Sequence, residues 1–300
     1  MDVRRPAPSA TPLRLALLGL ALCLNLAPAS AAEPADLASA RALFDAKRFT
    51  DAQRAFERLE AEQPGSADVH FYLGQLALER DDADTAVREL ERATALSPES
   101  ARSHDALGDA YGRSAQKAGM FSKFGLARKS LAEYQRAVAL EPGNVDFHES
   151  LFVYCMSAPS IAGGGADKAA DEAAVIRKLD SLRGHRAFAT LYAAGEKYDL
   201  ELAELDEILK VAPDDYAALY QLGRNAALSG QHFDRGLASL RRCLELPVPE
   251  DAPPHAAAQW RIGTILDKKG DRQGARAAYE AALRIDPKFT QASESLKGLD

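Results

Sequence analysis

The sequence predicts an all-α fold: an α-solenoid of about seven helix hairpins closed by a short capping helix at the carboxy terminus. Three observations predict it. One pattern of small and large positions recurs along nearly the whole chain at a spacing of about 34 residues. Most of the recurring units end on a proline: Pro64, Pro98, Pro142, Pro213 and Pro287. The slot before four of them holds a residue able to cap a helix, Ser66, Ser100, Asn144 and Asp215.

The stretch 67–100, ADVHFYLGQLALERDDADTAVRELERATALSPES, shows the unit most cleanly. Its first helix is predicted over 68–79 and its second over 84–96. Gly74 and Ala86 are small where the two helices cross, so the backbones can approach closely. Leu73 and Leu90 fill the space beside that crossing, and Ala93 leaves room for the next hairpin. Pro98 stops the second helix because it lacks an N–H and clashes with the turn before it. One hairpin cannot bury its own apolar face, so the units must stack.

From the amino terminus, Arg4 and Arg5 precede an apolar run over 15–26, followed by Ala29-Ser30-Ala31. A basic start, a short apolar core and a small-x-small site mark residues 1–31 as a cleaved secretory signal peptide. The run is shorter than the roughly 20 residues a bilayer span needs. The chain is 47% hydrophobic and 27% charged, neither disordered nor membrane-spanning in composition. Its net charge is −7, which argues against a general nucleic-acid binder. Cys155 and Cys243 fall two units apart on different helices, so they are expected to be small buried side chains rather than a disulfide.

The units then follow in order. The first covers about 33–66, with Ala40, Leu43, Phe49, Ala52, Phe56 and Leu59 at the expected offsets. The second is 67–100. The third, 101–144, opens with Leu107, Gly108 and Tyr111 and closes with Tyr134 and Ala137, but its middle is too long, and the surplus is expected in the turn between its helices. The fourth, 145–181, has a turn stretched through the glycine-rich 157–165. The fifth, 182–215, carries Ala189 where the others favour glycine. The sixth, 216–255, ends in a proline-rich loop, and the seventh, 256–289, is again regular with Ile262, Gly263, Tyr279 and Ala282. Residues 290–300 are expected to form the capping helix.

These offsets resemble those of the tetratricopeptide repeat (TPR) family over about 33–289. The resemblance implies a right-handed superhelix whose concave face, lined by the first helix of each hairpin, binds a peptide or protein. It implies no chemistry. Carried over slot by slot, the groove would present Phe71 and Gln75, then Asp105 and Asp109, Asp146 and Glu149, Arg183 and Arg186, Tyr220 and Arg224, and lastly Trp260 and Thr264. Phe71, Tyr220, Trp260 and the arginines are the residue types that carry most interface energy. The Lys and Asn of the family's chaperone-tail clamp are missing: Leu37, Arg41, Phe71 and Gln75 hold those slots.

The two stretched turns suggest a second site. The insert 113–129 carries Arg113, Lys117, Lys123, Arg128 and Lys129 around Met120, Phe121, Phe124 and Leu126, with no acid from 110 to 132. The next unit brings Gly163, Gly164 and Gly165 before a helix. Both turns belong on one edge of the solenoid, where cations and the glycine N–H groups would hold an anionic group. A lipid head group, a wall polymer or an acidic partner segment would fit.

Catalytic signatures are missing. His70, His104, His148 and His185 recur at one slot of successive units, but packed helices lie about 8–10 Å apart, too far to share one metal, so they are expected to fill the packing seam. His148-Glu149 lacks the second histidine of a zinc-protease helix. The expectation is therefore a non-enzymatic interaction scaffold of a bacterial periplasm, monomeric or weakly oligomeric, without cofactor, metal or nucleic acid. The alternative is a carrier for an anionic small molecule, lipid or wall polymer, in peripheral contact with membrane or wall through the inserted edge.

Overall fold

A computed structural model describes residues 36–299, and among them only helices form. They are α1 Leu37–Asp45, α2 Phe49–Glu62, α3 Ala67–Glu79, α4 Ala83–Leu96, α5 Ala101–Lys117, α6 Met120–Leu140, α7 Val145–Ser157, α8 Ala166–Leu179, α9 Ser181–Ala194, α10 Tyr198–Val211, α11 Tyr216–Ser229, α12 Phe233–Glu245, α13 His255–Lys268, α14 Arg272–Ile285 and α15 Thr290–Lys297, with a 3₁₀ turn at Ser160–Ala162. The segment expected to be a signal peptide lies outside the described residues. None of the described helices is long and apolar enough to cross a membrane.

The helices stop where local chemistry says they must. Gln63, Ser97, Glu141, Ala212 and Asp286 each close a helix immediately before a proline. Their φ values fall together, between −136° and −131°. With ψ between 65° and 100° they have left the helical region, which a following proline ring disfavours for its neighbour. The starts are capped. Ser66 accepts from the N–H of Val69 at 3.5 Å, Asn144 from Asp146 at 3.1 Å and Asp215 from Ala218 at 2.9 Å. Ser100 departs from this scheme: its hydroxyl pairs with Ser103 Oγ at 2.8 Å and leaves the backbone amides alone.

Each hairpin closes on one crossing. A Cβ added to Gly74 would lie 2.4 Å from Leu90, and one on Gly223 would lie 2.2 Å from Leu240. At Gly108 it would meet the Tyr134 ring at 2.7 Å, and at Gly263 the Tyr279 ring at 2.4 Å. Nothing larger than glycine fits there without moving the partner side chain. The core is correspondingly a string of local clusters along the stack, as expected when each unit touches only its neighbours. Cys155 and Cys243 are free thiols in two of those clusters.

The third hairpin differs from its sequence reading. The surplus residues do not loop out; they lengthen both helices. α5 has 17 residues and α6 has 21, against 13 and 14 in α3 and α4, and only Ala118 and Gly119 join them. The reason is local. Between Arg113 and Lys129 there is no proline, glycine stands only at 119 and 125, and Ala, Arg, Lys, Gln, Met and Leu predominate, so helix costs less than an unpaired loop. In the fourth unit, Gly163 and Gly165 turn the chain with φ of +94° and +132°, conformations that L side chains resist. Gly164 lies so close to Ala158 that a Cβ would come within 2.0 Å of its carbonyl oxygen.

Candidate functional site

The first helices of successive hairpins, α3, α5, α7, α9, α11 and α13, carry the groove slots. The structure withdraws the three aromatics from that face. Phe71 is buried, and the Arg102 guanidinium lies 4.5 Å over its ring. Tyr220 belongs to the core cluster of its own hairpin. Trp260 donates from Nε1 to Ser295 Oγ at 2.9 Å and leans on Phe289, so it clamps the capping helix α15. Among the described residues no hairpin follows α14, and α15 packs on the apolar side where one would stack.

Most of the groove charges neutralise one another. Arg41 and Arg102 both pair with Asp68. Arg183 reaches back one repeat: its Nε donates to Glu149 at 2.6 Å and its Nη2 to Asp146 at 2.6 Å. Arg186 pairs with Asp215 at 2.5 Å, and Arg224 lies 3.8 Å from the buried Glu201. Gln75 is half-buried on α3. The arginines expected to meet a partner are thus held as ties between neighbouring hairpins.

Asp105 and Asp109 stand apart from this ladder. They sit one turn apart on α5 at the slots assigned to the groove, Asp105 half-buried and Asp109 exposed. Desolvation, then repulsion from Asp109, pushes the Asp105 carboxyl up to about 7, against the weaker pull of a Ser150 hydrogen bond. Oδ1 of Asp105 is buried without a hydrogen-bond partner among the described residues. Desolvation also raises Asp109, although the Tyr134 hydroxyl donates to it at 2.5 Å and the Arg113 charge opposes the shift. The groove slots of α5 therefore hold an acidic pair short of compensating charge.

The histidines make a seam of their own. Nδ1 of His70, His104, His148 and His185 lies 2.9, 2.6, 2.7 and 2.6 Å from Glu89, Glu133, Glu172 and Glu204, each on the second helix of the same hairpin. In the first three, Nε2 lies 3.0, 3.0 and 3.1 Å from the carbonyls of Pro64, Pro98 and Pro142, which end the hairpin before. Each of these three rings thus spans from the second helix of its own hairpin to the end of the hairpin before, and which nitrogen donates depends on the tautomer. These side chains are hydrogen-bonded ties between hairpins rather than inert fillers. Among the described residues, Glu60, His70 and Glu89 form one group with metal-ligand chemistry, their ligand atoms within 4.8 Å of one another. Arg88 at 3.0 Å and Arg92 at 3.5 Å already occupy the two carboxylates.

The inserted edge brings its two halves together, but not as an anion cradle. Arg128 donates to the Ile161 carbonyl at 3.2 Å, and the Tyr154 hydroxyl donates to the carbonyls of Ala127 at 2.8 Å and Ala162 at 2.7 Å. The glycine N–H groups are spent: Gly163 on Ser160, Gly164 on Pro159 and Gly165 on Cys155. Arg113 donates to the Leu78 carbonyl and Lys117 pairs with Asp81 at 2.7 Å. The loop forms its turn by using those amides, so none remains for a ligand. What the edge offers instead is an apolar cavity of about 570 Å³, lined in part by Ala115, Met120, Phe124, Tyr154 and Pro159.

Comparison with known proteins agrees with this architecture. The tetratricopeptide repeat profile matches residues 37–101 and 225–288. A tetratricopeptide repeat protein of Parabacteroides merdae superposes with a TM-score of 0.60 at 13% identity, covering 88% of this chain and 96% of that one. A chain of the APC/C hetero-tetramer Cut9–Hcn1 gives 0.53 at 15% identity, over 88% of this chain and 48% of its own. At these identities the likeness is one of fold. In sequence, 187 residues are 27% identical to the human protein O-mannosyl-transferase TMTC1. That match takes in 60% of this chain and spans only 20% of the length of that relative.

Proposed function

From its tetratricopeptide-repeat architecture we propose that this chain is a non-enzymatic scaffold that holds a protein or peptide in its concave groove. The acidic pair Asp105–Asp109 carries the reading. No arginine of the described residues forms a direct ion pair with either carboxyl, so a lysine or arginine of the partner would find both charge and an unpartnered acceptor there. Support of a general kind comes from the fold, which a chain of a hetero-tetrameric assembly shares. The basic start, short apolar run and Ala29-Ser30-Ala31 support export to the periplasm of a bacterium, with cleavage after Ala31.

A peptide library read by the purified protein tests the groove. Bound sequences should be enriched in Lys or Arg, and Asp105→Asn with Asp109→Asn should remove that enrichment and weaken binding about tenfold or more, in a salt-sensitive way. If parent and variant select the same peptides, the acidic pair is not the site.

A further inference from the structure

We propose that the tip of the α5–α6 hairpin, Met120 and Phe121 with Lys123 behind them, docks on the surface of a bilayer bearing anionic headgroups. The tip projects. α5 runs four residues further past its glycine crossing than α3 does, about 6 Å of rise. Met120 is 78% exposed, and Phe121, at 103%, has its whole ring in water. The Phe121 ring packs on nothing in the hairpin, and Met120 only borders the apolar cavity. Ile161, 62% exposed, adds a third apolar point on the next corner of the same edge, joined to the hairpin through Arg128. Large apolar side chains exposed together at a projecting corner mark a contact surface.

The charges say what kind of surface. Residues 110–132 carry five cations and no acid, on a chain whose net charge is −7. Lys117 is neutralised by Asp81, and Asp81, Asp82 and Asp84 bound the cationic face on the side of the preceding corner. Arg113 and Arg128 donate to uncharged carbonyls and keep their charge, while Lys123 is exposed and in no ion pair with any described residue. An anionic surface therefore repels the acidic body and attracts the tip, which fixes the approach. The tip is convex, and a fluid headgroup layer accepts a protruding ring without a shaped pocket. This edge lies off the groove slots, so the inference stands apart from the scaffold reading.

The experiment uses the full chain with Phe121→Trp, beside the parent, whose single tryptophan is Trp260 in the last repeat. Both are mixed with vesicles of phosphatidylcholine alone, or of phosphatidylcholine with phosphatidylglycerol, each doped with brominated lipid. The anionic vesicles should quench the new tryptophan and shift it to the blue, while Trp260 stays unquenched. Adding Lys123→Glu should weaken the effect about tenfold. Reading one side chain at the tip keeps the result independent of the apolar leader. Because Phe121 is fully exposed, the variant should keep the parent's circular dichroism. No quenching by anionic vesicles overturns the proposal. So does equal quenching by both vesicle types, or a dimer that Phe121→Ser disperses, which would make a second copy the occupant.

Discussion

The α5–α6 and α13–α14 hairpins share one crossing and put it to opposite uses. Each sets a glycine against a tyrosine ring, Gly108 against Tyr134 and Gly263 against Tyr279. The slot one turn before the glycine holds Asp105 in one and Trp260 in the other; the slot after it holds Asp109 and Thr264. In α13–α14 these neighbours are satisfied: Trp260 is tied to Ser295, and the Tyr279 hydroxyl has Thr264 as partner. In α5–α6 the tyrosine meets a carboxylate whose neighbour, Asp105, keeps one buried oxygen without a hydrogen-bond partner among the described residues, and the helices run on past the repeat to an exposed apolar tip. The crossing sets the hairpin, and the slots around it are free to serve stability or contact.

The most damaging way to break the comparison is to remove what the two hairpins share. Gly263→Val and Gly108→Val force a branched side chain against a buried ring, and each should cost about 3 kcal/mol in denaturant unfolding. If either is neutral, its crossing is looser than described. A smaller effect of opposite sign should separate them. With its carboxyl raised to about 7, Asp105 contributes most to folding below the ordinary carboxylate range and loses that contribution as pH rises through about 7. Asp105→Asn should therefore stabilise the protein above neutrality by about 1–2 kcal/mol, allowing for solvent at the groove slots. The gain should fade as pH falls below the ordinary carboxylate value, toward about pH 3, where the parent carboxyl is mostly protonated in both states. Thermal unfolding across pH reads this directly, and a gain independent of pH would refute it. The smallest effect belongs to the tip: Met120→Ser with Phe121→Ser should change stability by less than about 0.5 kcal/mol. A larger loss would mean that the tip packs.

The repeat register was legible because glycine crossings, terminal prolines and caps are local and strict. Gly74, Gly108, Gly223 and Gly263 all lie where a Cβ would collide. The surplus in the third unit was countable but not its shape, since a run such as Arg113-Ser114-Ala115-Gln116-Lys117 suits helix as well as loop. Trp260 misled for a different reason. Its slot is that of a groove residue, but here the side chain meets α15, a helix outside the repeat pattern, and a contact with it is one that no periodic pattern reports. The groove arginines were placed by slot, but their partners, such as Asp146 for Arg183, sit about one repeat away in sequence and become neighbours only when the stack forms. The histidine seam left a visible trace, four histidines at one slot, and the matching trace in Glu89, Glu133, Glu172 and Glu204 went unread.

The capping helix also bears on how copies of the chain can associate. α15 occupies the surface on which one more hairpin would grow, and it buries Ala292 and Leu299 in doing so. Head-to-tail polymerisation through that end is therefore blocked, since a second copy would have to displace a packed helix before it could continue the superhelix. An assembly that leaves α15 in place must use a surface other than that end.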